Sequence, residues 1–249
     1  MILVTAKEHF DQDIQRANDL LAHARALNAG GVRNDILRLV WMMAVGASDA
    51  YFSDAYADLV ARTLKAKDTQ PTVNLPDRLN NLKVPVIAVI RDSPAWRWRM
   101  AARELIEDEN VLSIEKIKKL FNHFFRSNHK LFTDSSIEVW ILHADAKQRH
   151  FGITKTAYRA LAQKAGARKA ALEHFSKRLD DIFQRRHDCI HNCDRPKVAL
   201  QSITDSSAEK ALQDIGFLVT RCHDALNAEF PEYLRTLGFN GATRNRVGC

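Results

Sequence analysis

The sequence predicts an all-α protein, a helical bundle, on three observations. Only 9 Gly and 6 Pro are distributed over 249 residues, so few positions force the chain to break. Alternating apolar and polar runs of the kind that form half-buried strands are scarce. Apolar residues instead recur at three- and four-residue steps over long stretches, the pattern of helices that bury one face. Hydrophobic content of 46% beside 27% charged residues is ordinary for a globular chain. The length suffices for one large domain or two small ones.

Thr5 and Glu8 predict a capping box for a first helix over residues 5–28, with Phe10, Ile14, Leu20 and Leu21 on its apolar side. Gly30-Gly31 ends it, and Asn34 predicts the cap of a long second helix carrying Ile36, Val40, Met43, Ala47, Tyr51, Ala55 and Leu59. Asp49, Asp54 and Asp58 lie on its flanks. Such carboxylates can hold a metal, but on a long helix they more often form a solvated face or pair with arginine. Pro71, Pro76 and Pro85 mark a connection over 68–85. The run from Val84 to Ile90 suits a resumed helix or a short strand, and Pro94 is expected to interrupt a helix there. In Trp96-Arg97-Trp98-Arg99, followed by Arg103, aromatic and basic residues interleave in a way that can stack on bases and hold phosphates. Trp96 and Met100, four apart, are read more economically as core.

Further helices are predicted at 113–127, with Ser113 and Lys116 as half a capping box, and at 134–148, capped by Asp134. Another runs from Thr154 to about Ala165 and is closed by Gly166. From about residue 168, Leu172, Phe175, Leu179, Ile182 and Phe183 form the buried stripe of one long amphipathic helix. Ser206 or Ser207 starts a last long helix with Ala211, Ile215, Leu218, Val219, Cys222 and Leu226. Pro231 introduces a short terminal turn or helix, and residues 240–249 read as a frayed tail.

The apolar runs Leu39–Ala47 and Val84–Ile90 fall far short of the ~20 residues that span a bilayer, and the first residues lack the features of a signal peptide. The expected location is therefore cytoplasmic, with no membrane association. Cys189, Cys193, Cys222 and Cys249 form no disulfide framework. A Gly-rich phosphate loop, a GxSxG elbow and a CxxC pair are all missing from the sequence. The net charge of +7 is uneven, since Lys147 to Lys197 holds 13 Lys and Arg against 5 Asp and Glu. Such a surplus suits a polyanionic partner, and equally a soluble basic surface with no partner.

Within that segment lies Arg185-Arg186-His187-Asp188-Cys189-Ile190-His191-Asn192-Cys193-Asp194-Arg195-Pro196. On the helical wheel Arg186 falls about 20° from Leu179, and the stripe continues through Ile190 and Cys193. His187 and His191 share one shoulder, while Asp188 projects from the back. Pro196, with Asn192 and Asp194, predicts that the helix ends within this run. Arg186 has two readings. It is either a buried structural cation paired with a carboxylate, with Asp49, Asp54 and Asp58 the first candidates, or a phosphate-binding arginine at a shared cleft. His187 and His191 have the spacing of two metal ligands, but Cys189 and Cys193 point about 160° away. No HExxH-type base accompanies them, and neither metal nor cofactor is expected.

Metal-free phosphodiester chemistry fits these residues better. Cleaving RNA through its own 2′-hydroxyl requires a base near that hydroxyl, an acid at the leaving 5′ oxygen, and a cation on the transition state. Histidine and arginine supply these functions. On a regular helix Arg186 and His191 diverge by about 140°. Either the helix loosens before His191, or two copies of the motif face each other across a symmetric dimer.

Arg186-His187-Xaa3-His191 resembles the Rx4–6H motif of the HEPN superfamily, in which a polar residue commonly follows the arginine. The likeness extends to Asn192, the Cys-Asp-Arg-Pro exit turn and the early Gly-Ala-Ser-Asp-Ala-Tyr run, and is greatest to the RiboL-PSP-type branch. It implies an elongated helical bundle with additional helices. Residues 34–230 would form the HEPN-like domain, with an insertion at about 70–130, preceded by an N-terminal helix at 1–33 and followed by a tail at 231–249. It also implies a metal-independent endoribonuclease that leaves 2′,3′-cyclic phosphate and 5′-hydroxyl ends, often a toxin or an anti-phage or stress effector, with an antitoxin or sensor protein as a further partner. Arg186 and His191 would be the catalytic pair of a homodimer, His187, Asp188 and Asn192 would assist, and Arg185, Arg195 and Lys197 would contact RNA. The alternative is a non-catalytic HEPN-like dimer that binds nucleotide or protein.

Overall fold

A computed structural model of the chain describes residues 3–81, 94–106, 111–197 and 199–249, with side chains at all of these except 94–97 and 104. Every regular element among the described residues is helical. In chain order these are α1 (Val4–Ala26), α2 (Gly31–Thr69), α3 (Asp77–Asn80), α4 (Pro94–Glu104), α5 (Ile114–Phe121) with a 3-10 turn (Asn122–Phe124), α6 (Asp134–Ile141), α7 (Gln148–Phe151), α8 (Lys155–Ala160), α9 (Ala165–His191), α10 (Asp205–Thr236) and α11 (Gly241–Arg246). No described helix is long and apolar enough to cross a membrane.

The 39-residue α2 is the axis of the bundle. Tyr51, Phe52, Ala55, Tyr56, Ala57, Leu59 and Val60 bury almost the whole circumference of its middle. A helix that is apolar all round must be enclosed, and α1, α4, α9 and α10 pack against it. α1 contributes Ala6, Phe10, Ala17, Leu21 and Ala24 at steps of three, four and seven. α9 contributes Phe175, Leu179, Ile182 and Phe183, and the Trp41 indole N–H donates to the Ile182 carbonyl at 3.0 Å.

Several boundaries differ from expectation for local reasons. α1 begins after Leu3, which adopts the left-handed region (φ 60) and provides no side-chain cap, so Thr5 lies inside the first turn. α2 starts at Gly31, three residues before Asn34, because the Asn34 N–H already closes a turn onto the Gly30 carbonyl. It ends at Thr69, at the start of the connection expected over 68–85. Thr133, not Asp134, caps α6 with Ser136 as its reciprocal partner, and that helix stops at Ile141. Thr154 caps α8 as predicted, but α8 ends at Ala160, and Gly166 opens α9 instead of closing its predecessor. Pro94 stands at the first position of α4, where a missing N–H costs nothing. The run Val84–Ile90 lies outside the described residues.

The C-terminal region departs most. A Thr204–Ser207 capping box opens α10, which continues through Pro231 to Thr236. An interior proline costs about 3 kcal/mol. Leu226, Phe230, Tyr233 and Leu234, all buried, hold the helix together against that cost. Residues 240–249 are docked. Asn240 caps α11 through the Thr243 N–H at 2.8 Å, and Arg62 of α2 donates to the Val247 carbonyl.

Candidate functional site at the end of α9

Through Phe183, α9 buries the stripe that its periodicity predicts. Beyond Phe183 the buried side changes. Ile190, in phase with the stripe, is 46% exposed, Cys193 is exposed and Arg186 is only half-buried. Asp188, on the opposite side of the wheel, is buried. The helix has outrun the core on its original face, while the returning chain covers its back.

Two residues produce that return. Cys193 (φ 47) and Asp194 (φ 59) both take the left-handed conformation that Asp tolerates better than most residues. The N–H groups of Asn192 and Asp194 both reach the Asp188 carbonyl at 2.9 Å. The helix therefore ends where Asn192, Asp194 and Pro196 predict. The Gln201 N–H then bonds to the Asp194 carbonyl at 2.9 Å, drawing Gln201 and Ser202 against the helix.

Asp194 is fully buried and anchors this end. Its Oδ2 accepts from Arg38 Nε at 2.7 Å and from Arg185 Nη2 at 3.0 Å. Arg38 also donates to the Gln201 carbonyl at 2.8 Å and to Asp35 at 3.1 Å. Arg185 donates to the Ser202 carbonyl at 3.0 Å, with its guanidinium 4.9 Å from the Trp41 ring centre. The structural arginine is thus Arg185, the residue expected to contact RNA, and its partner is Asp194. Asp49, Asp54 and Asp58 are engaged elsewhere, with the Val111 N–H, with Arg103 and with Arg62 respectively.

Asp188 accepts from Gln184 Nε2 at 3.0 Å and, more weakly, from Asn192 and Gln201 at 3.4 Å. Asp188 and Asn192 therefore shape the helix end. Cys189 lies beside this node. Burial, and next the Asp194 charge, push its thiol up to about 11, so it stays protonated at neutral pH.

On the other face His187 and His191 are both exposed, with ring centres 4.4 Å apart. Arg186, Arg195 and Lys197 form no ion pair with any described carboxylate. Several other cations of the basic segment are neutralised. Arg149 and Arg178 lie on Asp214 at 2.8 and 2.7 Å, and Arg168 lies on Glu138 at 2.8 Å. Among the described residues no group of three or more His, Cys, Asp and Glu is arranged to hold a metal ion.

α9 is regular up to His191, so the loosening that would aim Arg186 and His191 at one phosphate from a single chain does not occur. Arg38, Trp41, Gln201 and Ser202 complete this node and are not among the residues that the motif singles out. Arg38 was detectable, because it shares its helical phase with Trp41, Val45, Ser48 and Phe52 on a buried face. The partners in 201–202 come from a loop with no period.

No protein-family model matches this chain, and neither does any curated protein or solved structure.

Proposed function

We propose that this chain is a metal-independent endoribonuclease of HEPN type whose site is completed by a second copy. The observation that carries the reading is the uncovered end of α9. There the unpaired Arg186, the exposed Ile190 and the adjoining imidazoles of His187 and His191 lie together on a face that no described element covers. Two such faces related by a two-fold axis would bury Ile190 against its copy and bring Arg186 of one chain toward His191 of the other. That pairing meets the divergence of about 140° which one regular helix imposes.

In this reading one imidazole removes the proton of the RNA 2′-hydroxyl. The 2′ oxygen attacks phosphorus, the bond to the 5′ oxygen breaks, and that oxygen takes a proton from a protonated imidazole. Arg186 stabilises charge on the equatorial oxygens. The products are a 2′,3′-cyclic phosphate and a 5′-hydroxyl. His191 is the acid or base and His187 supports it. Arg195 and Lys197, exposed beyond the helix end, hold the backbone by charge. Asp188, Asn192, Arg185 and Asp194 act at one remove by fixing the helix end. A role as toxin or defence effector, in the cytoplasm and under an antitoxin or sensor, accords with this chemistry.

The test is total RNA incubated with EDTA-treated wild type and His191→Ala, with the product ends analysed. The expected result is cleavage to cyclic phosphate ends by wild type alone, with RNA binding retained by the variant. Binding without cleavage by both proteins would instead favour a non-catalytic nucleotide- or protein-binding dimer.

A further inference from the structure

At the other end of α2, independently of the nuclease reading, the geometry points to a second binding site, one for a nucleotide phosphate. Arg62 lies 24 residues beyond Arg38, which places this site about 36 Å along the helix from the α9 end. A cleft of about 370 Å³ opens there between α2, α4 and α11. Arg62, Lys65, Arg99 and Arg246 converge on it from three elements, and Trp98 forms part of its wall. The carboxylate lining it is Asp58.

The cleft is shaped around Arg62. Its Nε donates to Asp58 at 2.6 Å and its Nη1 to the Val247 carbonyl, so the guanidinium is held by both helix and C-terminal segment. Gly248 adopts φ +80, and a Cβ there would come within 2.7 Å of Arg62 Nη1. Glycine takes this backbone conformation without strain and leaves the guanidinium in place. Arg99 is 3.9 Å from Asp54, a carboxylate that Arg103 already holds at 2.5 Å. Lys65 and Arg246 are exposed and pair with no described carboxylate.

With Arg62 on Asp58 and Arg99 near Asp54, Lys65 and Arg246 leave this concave space a positive excess, which favours an anion with several oxygens. Trp98, half-buried and packed against the core, lines the cleft beside them, and an indole is the kind of side chain on which a base stacks. The ligand class that uses both is a nucleoside phosphate, its phosphates between Arg62, Lys65 and Arg246 and its base against Trp98. This arrangement also gives Trp98 and Arg99 of α4 a use beyond core packing. The phosphate belongs either to a free nucleotide or to the end of an RNA strand.

Calorimetric titration at 0.15 M salt tests the site, using ATP, inorganic pyrophosphate and a short 5′-phosphorylated oligoribonucleotide. The proteins are wild type, Lys65→Ala/Arg246→Ala and Trp98→Phe. ATP should bind wild type, and the double variant should weaken it by at least about tenfold, since charge-assisted bonds are lost, with no change in melting temperature. Trp98→Phe should narrow the preference for ATP over pyrophosphate. Oligonucleotide binding without ATP binding, lost in the same double variant, supports the site and assigns its phosphate to a strand. Failure of all three ligands to bind at millimolar concentration overturns the proposal, as does undiminished binding by the double variant.

Discussion

Asp194 shows how much of this site depends on one carboxylate. It is fully buried and receives both Arg38 and Arg185. Asp194→Asn keeps the size of the side chain and its tolerance of the left-handed backbone, but leaves two guanidinium groups without their counter-charge. Breaking a buried pair in this way costs about 3 kcal/mol. Urea unfolding should show that loss, and a loss below about 1 kcal/mol would mean that water already screens the pair. His191 is the opposite case. It is exposed with no partner but His187, so His191→Ala should leave the unfolding midpoint unchanged while cleavage disappears. The sequence showed that a cation sits on the helical face near Leu179. It did not show that Arg185, one residue away, is the structural arginine, because that depends on how Asp194, Gln201 and Ser202 come back against α9. No periodicity encodes that return.

Among elements, α9 was legible where the core enforces its pattern and misleading where it leaves the core. Phe175, Leu179, Ile182 and Phe183 are buried as their spacing requires, whereas Ile190 keeps the phase and lacks a neighbour. Ile190→Asp should therefore cost the isolated chain little stability while lowering its self-association in sedimentation velocity. An unchanged sedimentation coefficient would remove this face from any dimer interface. α2 was legible almost to its end, since it stops at Thr69 against an expected connection from residue 68, whereas tertiary packing carries α10 through Pro231. The short 3-10 turn Asn122–Phe124 makes a separate prediction. Burial, and then the nearby Arg78 charge, lower the His123 pKa from 6.5 to about 3. The unfolded chain binds this proton near pH 6.5 and the folded chain does not. The contribution of His123 is thus complete above about pH 6.5 and is lost as pH falls toward 3. Wild type should lose up to about 1.4 kcal/mol per pH unit relative to His123→Gln between pH 6.5 and 4.5. Parallel stability curves for the two proteins would contradict a buried neutral imidazole.

For the whole molecule, the enclosed α2 and the uncovered end of α9 together suggest a bundle finished by a second copy. The all-α class followed from composition and period alone, since both are averages over the chain. The proposed composite site follows from neither average; the sequence offers it only as one of two options, through the angle of about 140° between Arg186 and His191 on a regular helix. The decisive measurement is RNA cleavage in EDTA by Arg186→Ala, by His191→Ala, and by the two variants mixed under conditions where subunits exchange. Each variant alone should be inactive. In the mixture half the dimers are mixed, and each of these has one site with both Arg186 and His191 intact, so activity should return to about a quarter of wild type. A mixture that stays inactive while exchange is demonstrated, or single variants that cut RNA as wild type does, would contradict a site shared between two copies of α9.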